Sequence, residues 1–138
     1  MLKILDKVAS EMKLEWKEED MLRIDRAYYE GGSDRPIVAV KQESTPRKDW
    51  ESDIRRLLAV KTRLRVLICH PAEKEQSGLR RTIMGMLNSE MQVGRFSEEF
   101  LLILGKSYAY PRAGRVFSIY SYSPTMVEKK LHGSPLQK

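Results

Sequence analysis

The sequence predicts an α/β fold: one domain in which a mixed central β-sheet of four to six strands is flanked by helices. Three observations predict it. Apolar residues alternate along the chain between short β-branched runs and stretches at helical spacing, giving strand, helix, strand, helix through residues 37–91. The run Ile37-Val38-Ala39-Val40 has no polar interruption, which suits an interior strand covered on both faces, at the sheet centre. A chain of 138 residues, 41% of them hydrophobic, can bury a single core without a second domain.

The elements follow in order. Leu5, Val8 and Met12 recur at helical spacing among charged neighbours, predicting an amphipathic helix over 2–12 with those residues as its buried stripe. Leu14 and Trp16 alternate with polar residues before the acidic turn 17–20, giving a short strand. Residues 22–29 and 37–43 read as two longer strands joined by Glu30-Gly31-Gly32-Ser33-Asp34-Arg35-Pro36, whose glycines and proline punctuate a hairpin loop. Trp50, Ile54, Leu57 and Leu58 mark one face of a helix over 49–61, its start favoured by Pro46 and by the carboxylates Asp49, Glu51 and Asp53. A strand over 64–69 ends at His70-Pro71, and Leu79, Ile83, Met86 and Leu87 carry a helix over 72–91. Two more strands are expected over 100–104 and 116–122. The domain is thus expected to span 1–128, with 129–138 a poorly ordered tail.

Composition excludes several classes. A lone Cys69 makes no intramolecular disulfide and fits a reducing, cytoplasmic compartment. The N-terminal residues lack the apolar centre of a signal peptide and no apolar run reaches the length of a membrane span, so no membrane association is expected. There is no glycine-rich phosphate loop, no Cys or His pair at metal spacing and no Gly-x-Ser-x-Gly elbow. Histidine acid/base chemistry would rest on His70, which ends a strand beside proline and reads as structural. The net charge of +6 permits a polyanionic partner without specifying one.

The hairpin carries the candidate chemistry. Pairing 29 with 37 across the loop places Asp25 opposite Lys41 and Arg23 opposite Glu43, while Lys41 and Glu43, two apart on one strand, share a face. Two carboxylates on adjacent strands can hold Mg²⁺ or Mn²⁺ while a neighbouring ammonium faces a phosphate. The same residues also make an ordinary cross-strand salt-bridge ladder that neutralises itself.

The order helix, short strand, Arg23-Ile24-Asp25, glycine-bearing loop, Ile37-Val38-Ala39-Val40-Lys41-Gln42-Glu43, helix and strand resembles the PD-(D/E)XK nuclease-like superfamily over roughly the first 70 residues. The resemblance implies a restriction endonuclease-like core and divalent-metal-dependent hydrolysis of phosphodiester bonds in DNA or RNA. It further implies Asp25 and Glu43 as metal ligands, Lys41 as the catalytic lysine, and Glu11 or Glu15 as an auxiliary helix-side carboxylate. The third-strand pair departs from the pattern: Lys41 stands where the family has its acid and Glu43 where it has its lysine. An exchange within one face can preserve the cluster, or can mark a copy that has lost catalysis and serves in nucleic-acid binding or assembly.

Basic residues crowd the chain after the hairpin, with Lys48, Arg55 and Arg56 as candidate phosphate contacts and Arg47, Lys61, Arg63 and Arg65 beside them. Glu51 at helical spacing from Arg55 is equally consistent with a solvated helix face. Tyr108, Tyr110, Tyr120 and Tyr122 among basic residues can stack on bases or pack across strands. Met84, Met86 and Met91 fit core or homodimer packing.

Overall fold

A computed structural model describes residues 2–19, 24–43, 50–92, 99–105, 117–123 and 128–132. The elements run α1 (Leu2–Glu11), β1 (Glu15–Glu19), β2 (Ile24–Tyr29), β3 (Val38–Glu43), α2 (Trp50–Ala59), β4 (Leu64–Cys69), a 3₁₀ turn (Glu73–Glu75), α3 (Gln76–Gln92), β5 (Glu99–Gly105), β6 (Phe117–Tyr122) and β7 (Glu128–His132). All seven strands form one mixed sheet in chain order. β1, β2 and β3 pair antiparallel, β3, β4 and β5 parallel, and β5, β6 and β7 antiparallel.

The two parallel steps need crossovers, and α2 and α3 supply them. Because both steps advance the same way across the sheet, right-handed crossovers put both helices on one face. Ile54, Leu57, Leu79, Ile83 and Leu87 accordingly share a buried core with Ala39, Leu67, Phe100, Leu102 and Leu104. The alternate strand residues, Val40, Val66, Ile68 and Ile103, form a second core with Ala9 of α1 on the opposite face. This period-two division explains why Ile37 to Val40 needs no polar residue: Ala39 and Val40 face different cores and both are fully buried. β3 is an interior strand, although β4 is the middle one of the seven.

The α1 stripe differs from the sequence expectation. Leu2, Leu5 and Ala9 pack inward, whereas Val8 is 45% and Met12 63% exposed. Two apolar stripes compete on this helix, and the one containing alanine seats it close to the sheet. α1 ends in a Schellman motif: Leu14 N–H donates to Ala9 O (2.8 Å) and Lys13 N–H to Ser10 O (3.0 Å), with Lys13 in the left-handed region at φ 61°.

The expected tail begins with a strand instead. β7, Glu-Lys-Lys-Leu-His, has too few apolar residues to signal itself by pattern; it pairs along β6, and its first side chain ties it to α3. Glu128 accepts from Arg80 of α3 (Nε–Oε2 3.1 Å, with a second bond from Nη2) and from the Tyr122 hydroxyl (2.6 Å). The Arg80 guanidinium also lies 4.3 Å from the Tyr120 ring centroid.

Candidate functional site

Open sheets with parallel strands place their ligand sites beyond the carboxyl ends of those strands. In this chain Glu43 and Cys69 are partners at the matching ends of β3 and β4, and the first half of α2 covers that end. Five titratable side chains meet there: Asp25, Lys41, Glu43, Asp53 and His70.

A bulge delivers Asp25. Lys17 pairs with Ala27 but Glu19 with Ile24, so β2 fits one extra residue into this span. The face alternation slips with it, so that Ile24 joins the α2-side core while Tyr28 joins the α1-side core. Arg26 turns toward α1, where it bonds Asp6 (3.0 Å), and Asp25 turns toward β3. Its Oδ2 accepts the Gln42 backbone N–H at 2.7 Å and lies 3.7 Å from the Lys41 ammonium. The hairpin register is the one the loop length predicts, with 26, 27 and 28 opposite 40, 39 and 38.

Asp53 is the unexpected member. It sits in the first half of α2 with 3% of its surface exposed, and burial, a hydrogen bond to Glu43 and repulsion from the Glu43 carboxylate raise its pKa from 3.8 to about 6. Lys41 and Arg56 act in the opposite direction. A hydrogen bond between two carboxyl groups needs a proton on one of them, so Asp53 donates to Glu43 in its neutral form. Two ionised carboxylates ~4 Å apart at an effective dielectric of about 20 would repel by about 4 kcal/mol, which a proton or a cation relieves. Arg56 pairs with Asp53 Oδ1 at 3.3 Å.

The neighbours are neutral. Burial lowers the pKa of His70, whose ring is hydrogen-bonded to the Glu43 backbone. Burial likewise raises the Cys69 thiol far above its usual range, with Asp53 and Glu43 adding to the effect, so Cys69 is neither a nucleophile nor a soft metal ligand near neutrality.

The remaining expected residues separate. Glu11 and Glu15 are exposed; α1 packs on the face opposite Lys41, and Glu15 stands opposite Tyr29, four residues along β2 from Asp25 and thus about 13 Å away. Neither is brought to the cluster: Glu11 ends a helix that packs on the other face of the sheet, and Glu15 opens β1, two strands from β3. Arg55 is exposed and paired with Glu51 at 3.3 Å, the solvated-face arrangement. Lys48 and Arg23 lie outside the described residues.

No family model, curated protein or solved structure matches the chain. Among the described residues, no group of three or more His, Cys, Asp or Glu side chains is disposed to hold a metal ion. Two carboxylates suffice for Mg²⁺, which keeps most of its waters and is often bound by one or two carboxylates beside substrate phosphates. Glu43 and Asp53 are both oxygen donors, the type a hard cation takes, and Asp25 lies beside Lys41.

Proposed function

We propose that this chain is a metal-dependent phosphodiester hydrolase acting on DNA or RNA, with its site at the carboxyl ends of β3 and β4. The observation that carries the reading is the Glu43 and Asp53 carboxyl pair: burial and mutual repulsion raise the Asp53 pKa to about 6, and that repulsion would be relieved by a cation as by a proton. Glu43 and Asp53 would hold Mg²⁺ or Mn²⁺, which when bound supplies Lewis-acid activation of water and neutralises charge on the phosphate.

The chain's own groups divide the remaining work. Lys41 is anchored by Asp25 at 3.7 Å and also interacts with Asp53, so its ammonium is available to a phosphate oxygen at the edge of the pair. Asp25 orients that lysine, itself fixed by the Gln42 N–H. The PD-(D/E)XK-like order of elements agrees with this assignment, with Asp53 on the following helix restoring a carboxylate that the exchanged third-strand pair displaces.

One observation favours a second reading, a catalytically inactive module of the same fold. The Asp25 carboxylate is already engaged by Lys41 and Gln42, as in a self-neutralising ladder. Cleavage of labelled single- and double-stranded DNA and RNA with Mn²⁺ or Mg²⁺ separates the two. Hydrolysis that EDTA, Asp53→Asn and Glu43→Gln each abolish supports the hydrolase; a folded wild type that cuts none of these substrates and binds neither ion leaves the inactive module.

A further inference from the structure

The opposite end of the sheet carries a second, unrelated feature. A cleft of about 710 Å³ opens between the hairpin loop 30–37 and the 61–63 connection into β4. The amino ends of β3 and β4 hold its walls together, with Leu64 N–H donating to Ile37 O at 3.1 Å. Six residue steps along β3 separate Ile37 from Glu43, about 20 Å, so the cleft and the carboxyl cluster are distinct places.

Charge distinguishes this cleft. Arg35, Lys61, Arg63 and Arg65 line it against a single carboxylate, Glu30. Arg65 is 4% exposed and committed: it donates to Leu57 O (2.9 Å) and Val60 O (2.7 Å), covering the negative carboxyl end of α2. That leaves Arg35, Lys61 and Arg63, all exposed, none of which forms a salt bridge with a described residue. Arg35 on the loop and Lys61 and Arg63 on the connection stand on two segments around one concavity, so an anion seated there would meet all three. The loop wall suits close approach, for Gly31 and Gly32 (φ +79°) have open space where a side chain would stand, exposing main chain to a ligand.

We infer that this cleft binds a phosphomonoester of nucleotide size, its dianion held by Arg35, Lys61 and Arg63. The volume lies within the range of about 300–1,000 Å³ typical of small-molecule sites, far larger than a simple ion needs. Guanidinium forks match phosphate oxygens bidentately, and Lys61 adds a point charge. The phosphomonoester can belong to a free nucleotide or to the 5′ end of a strand.

Calorimetric titration in EDTA tests this with AMP, a 5′-phosphorylated hexanucleotide and its unphosphorylated counterpart. AMP or the phosphorylated strand binds the wild type, and the tighter of the two names the source. Arg35→Ala/Lys61→Ala/Arg63→Ala weakens that binding by about tenfold or more. The control Lys3→Ala/Lys74→Ala/Lys129→Ala, with the same change in charge at exposed positions elsewhere, leaves it within about twofold. The inference is overturned if no phosphorylated probe binds at about 1 mM, if the unphosphorylated strand binds equally well, or if the control variant loses as much affinity as the cleft variant. EDTA removes divalent ions, so failure here is separate from failure of the hydrolase reading.

Discussion

Replacing Asp53 by asparagine tests the carboxyl pair directly. Burial first, then the hydrogen bond and repulsion from Glu43, raise the Asp53 pKa from 3.8 to about 6 in the folded protein. A raised folded pKa gives stability that is fully present below the unfolded value and lost as pH rises through the folded one. The window is therefore pH 3.8 to about 6. Above it, ionised Asp53 faces Glu43 with only Lys41 and Arg56 in compensation, while the adjacent His70 and Cys69 are uncharged. Two pKa units at 1.36 kcal/mol each amount to about 3 kcal/mol. Asparagine keeps the shape, donates to Glu43 through its amide and stays neutral, so Asp53→Asn should be more stable than wild type by up to about 3 kcal/mol at pH 8 and nearly equal to it at pH 4. Urea unfolding across pH 4–9 measures this. Adding Mn²⁺ at about 100 times its dissociation constant should stabilise the wild type by about 2.7 kcal/mol at pH 8 and the variant not at all. A flat wild-type profile, or a variant less stable at pH 8 than at pH 5, refutes the carboxyl pair; a metal response that survives in the variant refutes its role as a cation site.

Three further outcomes follow from particular contacts. Lys13→Gly should raise stability by about 1 kcal/mol in urea unfolding, because glycine takes the left-handed conformation at φ 61° without the side-chain penalty. Arg65→Met should destabilise by about 2–4 kcal/mol in the same assay, since it strips the Leu57 and Val60 carbonyls of buried charged donors. Arg80, with Tyr122, lowers the Glu128 pKa, so its contribution is present above the ordinary carboxylate pKa and lost as pH falls through the folded value. Glu128→Gln should therefore cost about 1 kcal/mol at pH 7, after screening of the partly exposed Arg80, and little at pH 2–3, as read from acid unfolding.

Most of the fold was legible because two periodicities report it. Strand positions alternate between two buried faces, and α2 and α3 carry their apolar residues at helical spacing, so six strands and three helices were readable by pattern. β7 was not, because five residues with one internal leucine carry no pattern and its anchor is an ion pair to an arginine 48 positions away. The α1 stripe departs from its pattern for a related reason: Ala9 is a weak hydrophobic signal yet lies at the contact, while Val8 and Met12 are strong signals facing solvent. In the site, loop length sufficed to pair Asp25 with Lys41. By composition Asp53 is one of three carboxylates favouring a helix start, although it follows Trp50 by three and precedes Leu57 by four, on the inward stripe. A carboxylate at such a position is the available sequence signal for a buried acid.

That placement bears on whether the exchanged Lys41 and Glu43 pair is a relic. Here Asp25 takes the lysine, and Glu43 faces Asp53, an acid 3% exposed that also pairs with Arg56 at 3.3 Å. Burying a carboxyl group against another costs stability at neutral pH, and a hydrophobic residue at 53 would fill the same space without that cost. Strain of this sign concentrates where a ligand relieves it. Asp53→Leu separates the two histories: if the pair is a relic, the variant gains stability at pH 7 and every nucleic-acid or metal response of the protein is unchanged, whereas a working cation site loses its Mn²⁺ response while the fold, followed by far-ultraviolet circular dichroism, persists.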